Sequence, residues 1–280
     1  MKKIYIVFCI FIVSIQGFSQ KKMASNTDFK DFLKTETLVV LHEDPFSGFD
    51  NTMRTCMKEF WNITPYKFIS RKEFETEKSN KKYSFIVFSE VRQKKGSHIY
   101  KYNLLNLILG GKAVDLNEMT DLIDVPLSYI KADQSHYLYK MGGVLLFMQY
   151  FVNYNIKHPD TKLSKMVKKI SGQVMDKELW LIKDELASDV NTVKKIKKYY
   201  PYTVKIVSKE DIKEAIKQRN KNVIFLHKIG PEKTAGQGRC WKFVVSAKDG
   251  IPLFYASKKV NSKKPDAFLK KDFKKLAKNN

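Results

Sequence analysis

Arginine is nearly missing from this chain. Only five of its 52 basic residues are Arg (Arg54, Arg71, Arg92, Arg219, Arg239); the rest are Lys. Forked recognition of phosphate favours Arg over the point charge of Lys. The net charge of +23 therefore reads first as a solvated, lysine-rich surface, and nucleic acid is not the expected partner. Cysteine is equally scarce. Cys9, Cys56 and Cys240 are too few for a disulfide framework, and Cys56 and Cys240 are expected as small buried residues. No apolar run approaches the roughly 20 residues that a bilayer span needs.

Catalytic patterns are missing too. There is no G-x-S-x-G elbow to raise a serine nucleophile. Gly110-Gly111-Lys112 lacks the spacing and the Ser/Thr of a phosphate-binding loop, and no dinucleotide fingerprint follows a first strand. The five histidines (His42, His98, His136, His158, His227) are scattered, with no H-E-x-x-H and no cysteine pair. Neither a metal nor a cofactor is expected.

What the chain does have is the same unit twice. Thr64 to Phe74 (TPYKFISRKEF) aligns without a gap on Tyr202 to Ile212 (YTVKIVSKEDI), and Val125-Pro126-Leu127-Ser128-Tyr129 aligns on Ile251-Pro252-Leu253-Phe254-Tyr255. Ahead of both copies, Lys2-Lys3, the apolar stretch Ile4 to Ile15 and the small residues Gly17 and Ser19 have the layout of a secretory signal peptide, with Gln20 as the new amino terminus. Cys9 lies inside the apolar stretch with no small-residue lipobox before it, which excludes a lipoprotein.

Each copy opens on a short apolar run, Leu38 to Leu41 and Leu179 to Ile182, suited to a strand buried on both faces. A helical stripe follows: Phe49, Met53, Cys56 or Met57, and Phe60 in the first copy, and Leu186, Val190, Val193 and Ile196 in the second. A second strand then ends on a capping box, Ser70-Arg71-Lys72-Glu73 or Ser208-Lys209-Glu210-Asp211. A third strand leads to a hairpin, with turns at Lys94 to Ser97 and at Asp249-Gly250. Ala235-Gly236-Gln237-Gly238 joins two strands and reads as a loop, not a phosphate cradle. The last strand carries Pro126 or Pro252 and is expected at a sheet edge, where a missing amide donor is tolerated. A helix closes each copy, over Ser135 to Tyr154 and over Asp266 to Lys278. The first is apolar nearly all round, which points to burial between the two halves.

The fold class is therefore α/β: a tandem duplication of a β-α-β-α-β-β-β-α unit, each copy a mixed sheet flanked by helices. The expected boundaries are 1–19 signal peptide, 20–156 first unit, 157–177 linker or connecting helix, and 178–280 second unit. In such sheets, ligands sit beyond the carboxyl ends of the parallel strands. That rule nominates His42, Glu43 and Asp44 in the first copy and Lys183, Asp184, Glu185 and His227 in the second. The first triplet reads more simply as a solvated strand end with a helix-capping acid. Tyr66, Tyr83, Tyr100 and Tyr102 interleave with Lys67, Lys82 and Lys101, as on some single-strand nucleic-acid platforms, but such residues are also ordinary on exposed strands.

The Trp61-to-Phe74 block, the Ser208-to-Ile212 block and the two Pro-Leu strands resemble a family of uncharacterised secreted proteins of Bacteroidota-type bacteria. The ending Phe18-Ser19-Gln20 is similar to signal peptides of that group. The resemblance covers most of the mature chain. It implies an envelope location and transfers no catalytic residue.

The expectation is an exported, non-catalytic binding or scaffolding protein of the cell envelope, periplasmic, outer-membrane associated or extracellular. Its partner would be an envelope protein or an anionic envelope polymer. The alternative is an exported hydrolase with its site near His42, Glu43 and Asp44. Peripheral membrane contact is a third reading. Nine lysines face two acids between Lys258 and Lys278, along one amphipathic helix.

Overall fold

The computed structural model describes residues 24–44, 47–95, 98–112, 116–130, 132–170, 174–231, 238–261 and 265–278. The signal-peptide segment, Gly96-Ser97 and Ala235 to Gln237 lie outside the described residues. After a leading helix α1 (Asn26–Phe32), the first unit runs β1 (Glu36–Val40), α2 (Gly48–Phe60), β2 (Tyr66–Ile69), α3 (Arg71–Glu77), β3 (Tyr83–Lys95), β4 (His98–Leu109), β5 (Thr120–Tyr129) and α4 (Met141–Lys157). A connecting helix α5 (Leu163–Lys169) buries Met166 and Val167. The second unit runs β6 (Glu178–Leu181), α6 (Val193–Ile196), β7 (Val204–Ile206), α7 (Lys209–Lys217), β8 (Val223–Ile229), β9 (Gly238–Ser246), β10 (Pro252–Val260) and α8 (Lys270–Lys278).

The two sheets have the same strand order, β2-β1-β3-β4-β5 and β7-β6-β8-β9-β10. In both, the first three strands are parallel and the last two antiparallel. The capping boxes recur: Ser70 accepts from the Glu73 amide at 3.1 Å, and Ser208 from the Asp211 amide at 3.1 Å. An ion pair recurs as well. Lys67 lies 3.5 Å from Glu36, and Lys205 lies 2.8 Å from Glu178.

That repeated pair corrects the phase of the sequence match. Thr37 sits between Tyr66 and Ser84, as Leu179 sits between Val204 and Ile224. Thr37, not Leu38, is therefore the counterpart of Leu179. A continuous apolar run has no alternation to fix its phase, so the match slips by one. The Pro-Leu match does not survive either. Both prolines lie on edge strands, but Pro252 opens β10 opposite Val245, whereas Pro126 lies within β5 opposite Leu104.

Three helices differ from the sequence expectation. The stripe Leu186, Val190, Val193, Ile196 forms two 3₁₀ turns and the short α6, and Val193 is exposed. Leu186 makes a strand-like bridge to Phe268, and the Ala187 amide donates to the Phe268 carbonyl at 3.1 Å. Those tertiary bonds hold the segment extended where a helix would have begun. The closing helices begin later than expected, after 3₁₀ turns at Gln134–His136 and Leu138–Lys140 in the first copy and at Lys270 in the second.

Helix α4 is buried between the units. A Cβ on Gly142 would come within 2.5 Å of the Phe60 ring of the first unit. One on Gly143 would come within 2.6 Å of the Phe225 ring of the second. Glycine lets both rings reach the helix backbone. One core cluster runs through Phe49, Met53 and Phe60, across Val144 and Met148, into Ile212, Phe225 and Phe243. No described helix is long and apolar enough to cross a membrane. Cys56 and Cys240 are buried and free.

Candidate functional site

The carboxyl ends of the two sheets have diverged. In the first unit, His42 stacks on Phe49 with ring centroids 4.2 Å apart and meets Phe88 edge-on at 4.5 Å. Asp50 accepts from the His42 and Glu43 amides at 2.9 Å each. Glu43 turns its carboxylate toward the start of α3, accepting from the Arg71 amide at 3.3 Å, with a positive φ of 58°. The rings take His42 partly out of water and lower its pKa. His42, Glu43 and Asp44 are exposed and line none of the principal cavities. Aromatic rings pack at this end, and Asp50 and Glu43 hold backbone amides.

In the second unit the equivalent end is open. Counting along the chain from the matched strand pairs, Asp184 corresponds to His42 and Lys228 to Phe88. Between these residues and the first unit lies a cleft of about 300 Å³. Leu127, Tyr129 and Tyr139 form its first-unit wall; Ile182, Asp184, Glu185, Lys228 and Ile229 form the other. Lys209, at the start of α7, and Asp266 complete the rim.

Buried ion pairs build its floor. Lys140, with no exposed side-chain surface, donates to Glu185 Oε1 at 2.7 Å and ties the first unit to the second. Lys228 lies 2.8 Å from Asp266. Burial pulls the Lys228 pKa down, but the carboxylates of Asp266 and Glu185 and the Cys240 thiol outweigh it, and the net shift is upward. Directly opposite Lys228 on the sheet, Lys242 donates to Asp272 at 2.5 Å. Two lysines facing each other repel. The carboxyl-terminal segment supplies a carboxylate to each.

His227 lies behind the cleft. Its Nε2 is 2.8 Å from the Pro126 carbonyl of the first unit, and its Nδ1 is buried without a hydrogen bond. Desolvation, reinforced by the Lys140 charge, lowers its pKa to about 3. Burial pushes the Cys240 thiol up to about 12 and the Tyr139 phenol up as well.

Of the residues nominated by sequence, Asp184 and Glu185 line the cleft, whereas His227 lines a separate small cavity with Phe225 and Phe243. Lys183 belongs to a second, wider groove next door. This groove is about 970 Å³, and Asp184 and Asp266 stand on the divide. Its charged lining is Lys183, Lys270, Lys271 and Lys274 together with Asp184, Asp189 and Asp266. Burial and the nearby Lys258 charge together lower the Lys271 pKa. Among the described residues, no group of histidines, cysteines and carboxylates could hold a metal.

Comparison with protein-family models, curated proteins and solved structures finds no match. What the cleft and groove do must be read from their own residues.

Sequence reasoning missed Lys140, Lys228 and Asp266. A signal was available: Lys228 and Lys242 each interrupt an apolar strand, and a lysine in a buried strand needs a carboxylate nearby. The interleaved tyrosines form no open platform, since Tyr100 and Tyr102 are buried. The Tyr102 hydroxyl instead bridges the units, accepting from the Arg239 amide at 2.7 Å.

Proposed function

We propose that the chain is an exported, non-catalytic binding protein of the cell envelope that holds an anionic polymer along its lysine-rich groove. Lys183, Lys270, Lys271 and Lys274 outnumber Asp184, Asp189 and Asp266 in the groove lining, and Lys258 is close enough to disfavour the charge on Lys271; both support this reading. A bound anion would relieve that repulsion. The apolar stripe of α8, Phe273 and Leu276 together with Phe268 before it, is packed into the second unit's core. What α8 offers a partner is therefore charge, not an insertable apolar face.

A non-catalytic role fits the titrating groups around the cleft. His227 is held neutral, and Cys240 and Tyr139 are held protonated, far from neutral pH. A general acid or base works best with its pKa near the working pH.

The mature chain is tested against an acidic polysaccharide, polygalacturonate, and against neutral dextran. The acidic polymer is expected to bind at low salt and to release as screening shortens the reach of surface charge. Replacing Lys270, Lys271 and Lys274 together by Ala is expected to weaken binding roughly tenfold, about 1.4 kcal/mol. Equal binding to dextran, or an unchanged triple variant, would sink the proposal. Export is read by fractionation and by an amino terminus at Gln20 in the mature protein; a chain retained in the cytoplasm refutes it.

A further inference from the structure

The groove's lysines are long, exposed side chains, and a ligand that meets several of them must first hold them still. Two of them are already held. Lys270 and Lys274 lie one turn apart on α8, on the same face of the helix. Both reach over a single ring: the Lys270 ammonium stands 4.6 Å, and the Lys274 ammonium 5.4 Å, from the centroid of Tyr199. The chain places that ring through its neighbour. Tyr200, between α6 and β7, is fully buried and packs on Phe273 of α8 with ring centroids 6.4 Å apart. That anchor lays Tyr199, half-buried, alongside the lysine row. Among the described residues, neither lysine makes an ion pair.

The ring does two things for these cations. Its electron-rich face attracts both ammonium groups, which offsets part of their mutual repulsion. It also restricts two side chains that would otherwise lose rotamer freedom when a ligand arrives, a main cost of binding through lysine. An ammonium resting on a ring still turns N–H donors away from it. Ring and anion can therefore share one cation from opposite sides. The third groove lysine of α8, Lys271, is set against the Lys258 charge instead.

We propose that Tyr199 is the positioning residue of the groove: by gathering Lys270 and Lys274 over one ring, it presents a paired ammonium site to neighbouring charges of an anionic polymer. This inference rests on the anion-binding reading of the groove and adds the device that makes two of its lysines act as a unit. The ring acts through the lysines and does not itself touch the polymer.

Tyr199 is replaced by Phe, Trp and Leu in the full mature chain, and polygalacturonate binding is measured calorimetrically at low salt. Tyr199→Phe keeps the ring and should bind as the unaltered chain does. Tyr199→Trp supplies the strongest cation–π partner and should bind at least as tightly. Tyr199→Leu keeps an apolar side chain but no ring, and should lose roughly fivefold in affinity. The comparison is then repeated in a Lys270→Ala, Lys274→Ala background. There Tyr199→Leu should change nothing, because the ring has no cations left to gather. Ring-current shifts on the ε-methylene protons of Lys270 and Lys274, present with Tyr, Phe or Trp and lost with Leu, report the gathering with no ligand added. Those shifts and the comparison of Phe with Trp hold as tests even where Leu weakens the fold. Undiminished binding by the Leu variant, an equal loss in the lysine-free background, or missing ring-current shifts would overturn this role alone. Failure of the unaltered chain to bind polygalacturonate would overturn the function proposed above together with this role.

Discussion

Lys242 and Asp272 are among the most deeply buried charges in the molecule, each 2% exposed. Burying such a pair gains little net stability, because desolvation offsets the attraction. Removing one partner is another matter. Asp272→Asn would leave the ammonium opposite Lys228 with no countercharge and would also weaken the bond that Asp272 accepts from the Leu269 amide at 3.0 Å. The expected loss is about 3–5 kcal/mol by urea denaturation, and Lys242→Met, Asp272→Asn should recover most of it. His227 makes the opposite kind of prediction. Its folded pKa, about 3, lies below its ordinary value of 6.5. Below pH 6.5 the unfolded chain therefore binds a proton that the folded chain refuses, and stability falls as pH falls. From pH 7 to 4.5 this one residue should account for about 2–3 kcal/mol of lost stability. His227→Gln should flatten that part of the profile; an unchanged slope would show that other groups cause it.

At the scale of elements, the duplication is most legible where local chemistry is strongest. A Ser followed three residues later by an acid at the end of an apolar run specifies a strand-to-helix junction without help from the rest of the chain. Both junctions form with the same bonds. Ser70→Ala and Ser208→Ala should each cost about 1 kcal/mol. Because the caps lie in separate units with no shared partner, the double variant should show the sum; a large excess would mean that the two junctions are coupled. Legibility fails where tertiary contacts override local preference. Leu186 to Ile196 has helical spacing, yet Phe268, far along the chain, captures its start. The cleft was half legible for the same reason. The strand-end rule reaches Asp184 and Glu185, but Lys140 meets Glu185 across 45 residues and Lys228 meets Asp266 across 38. No local pattern joins those pairs.

On the scale of the whole molecule, the question is whether two copies of a unit make two independent bodies. Helix α4 argues that they do not. Gly142 and Gly143 put the Phe60 ring of one unit and the Phe225 ring of the other against adjacent residues of the same helix. Gly250, at φ 74°, brings the β9–β10 hairpin onto the α4 backbone at Leu146 and Phe147. Gly143→Ala should thus destabilise both units at once, by about 1–3 kcal/mol from overpacking. Without the first unit, Ile212, Ile216, Phe225 and Phe243 would lose much of the apolar surface that covers them. The Lys140–Glu185 pair and the His227–Pro126 contact would be cut as well. The expected behaviour is one unfolding transition. Trp61 reports on the first unit, and Trp180 and Trp241 on the second. Variants keeping Trp61 alone or Trp180 alone, with Trp241 replaced by Phe in both, should give the same urea midpoint, and a fragment of residues 178–280 should lack a cooperative transition. Two separated midpoints, or a stably folded fragment, would show that the copies fold as independent domains and that α4 merely lies between them.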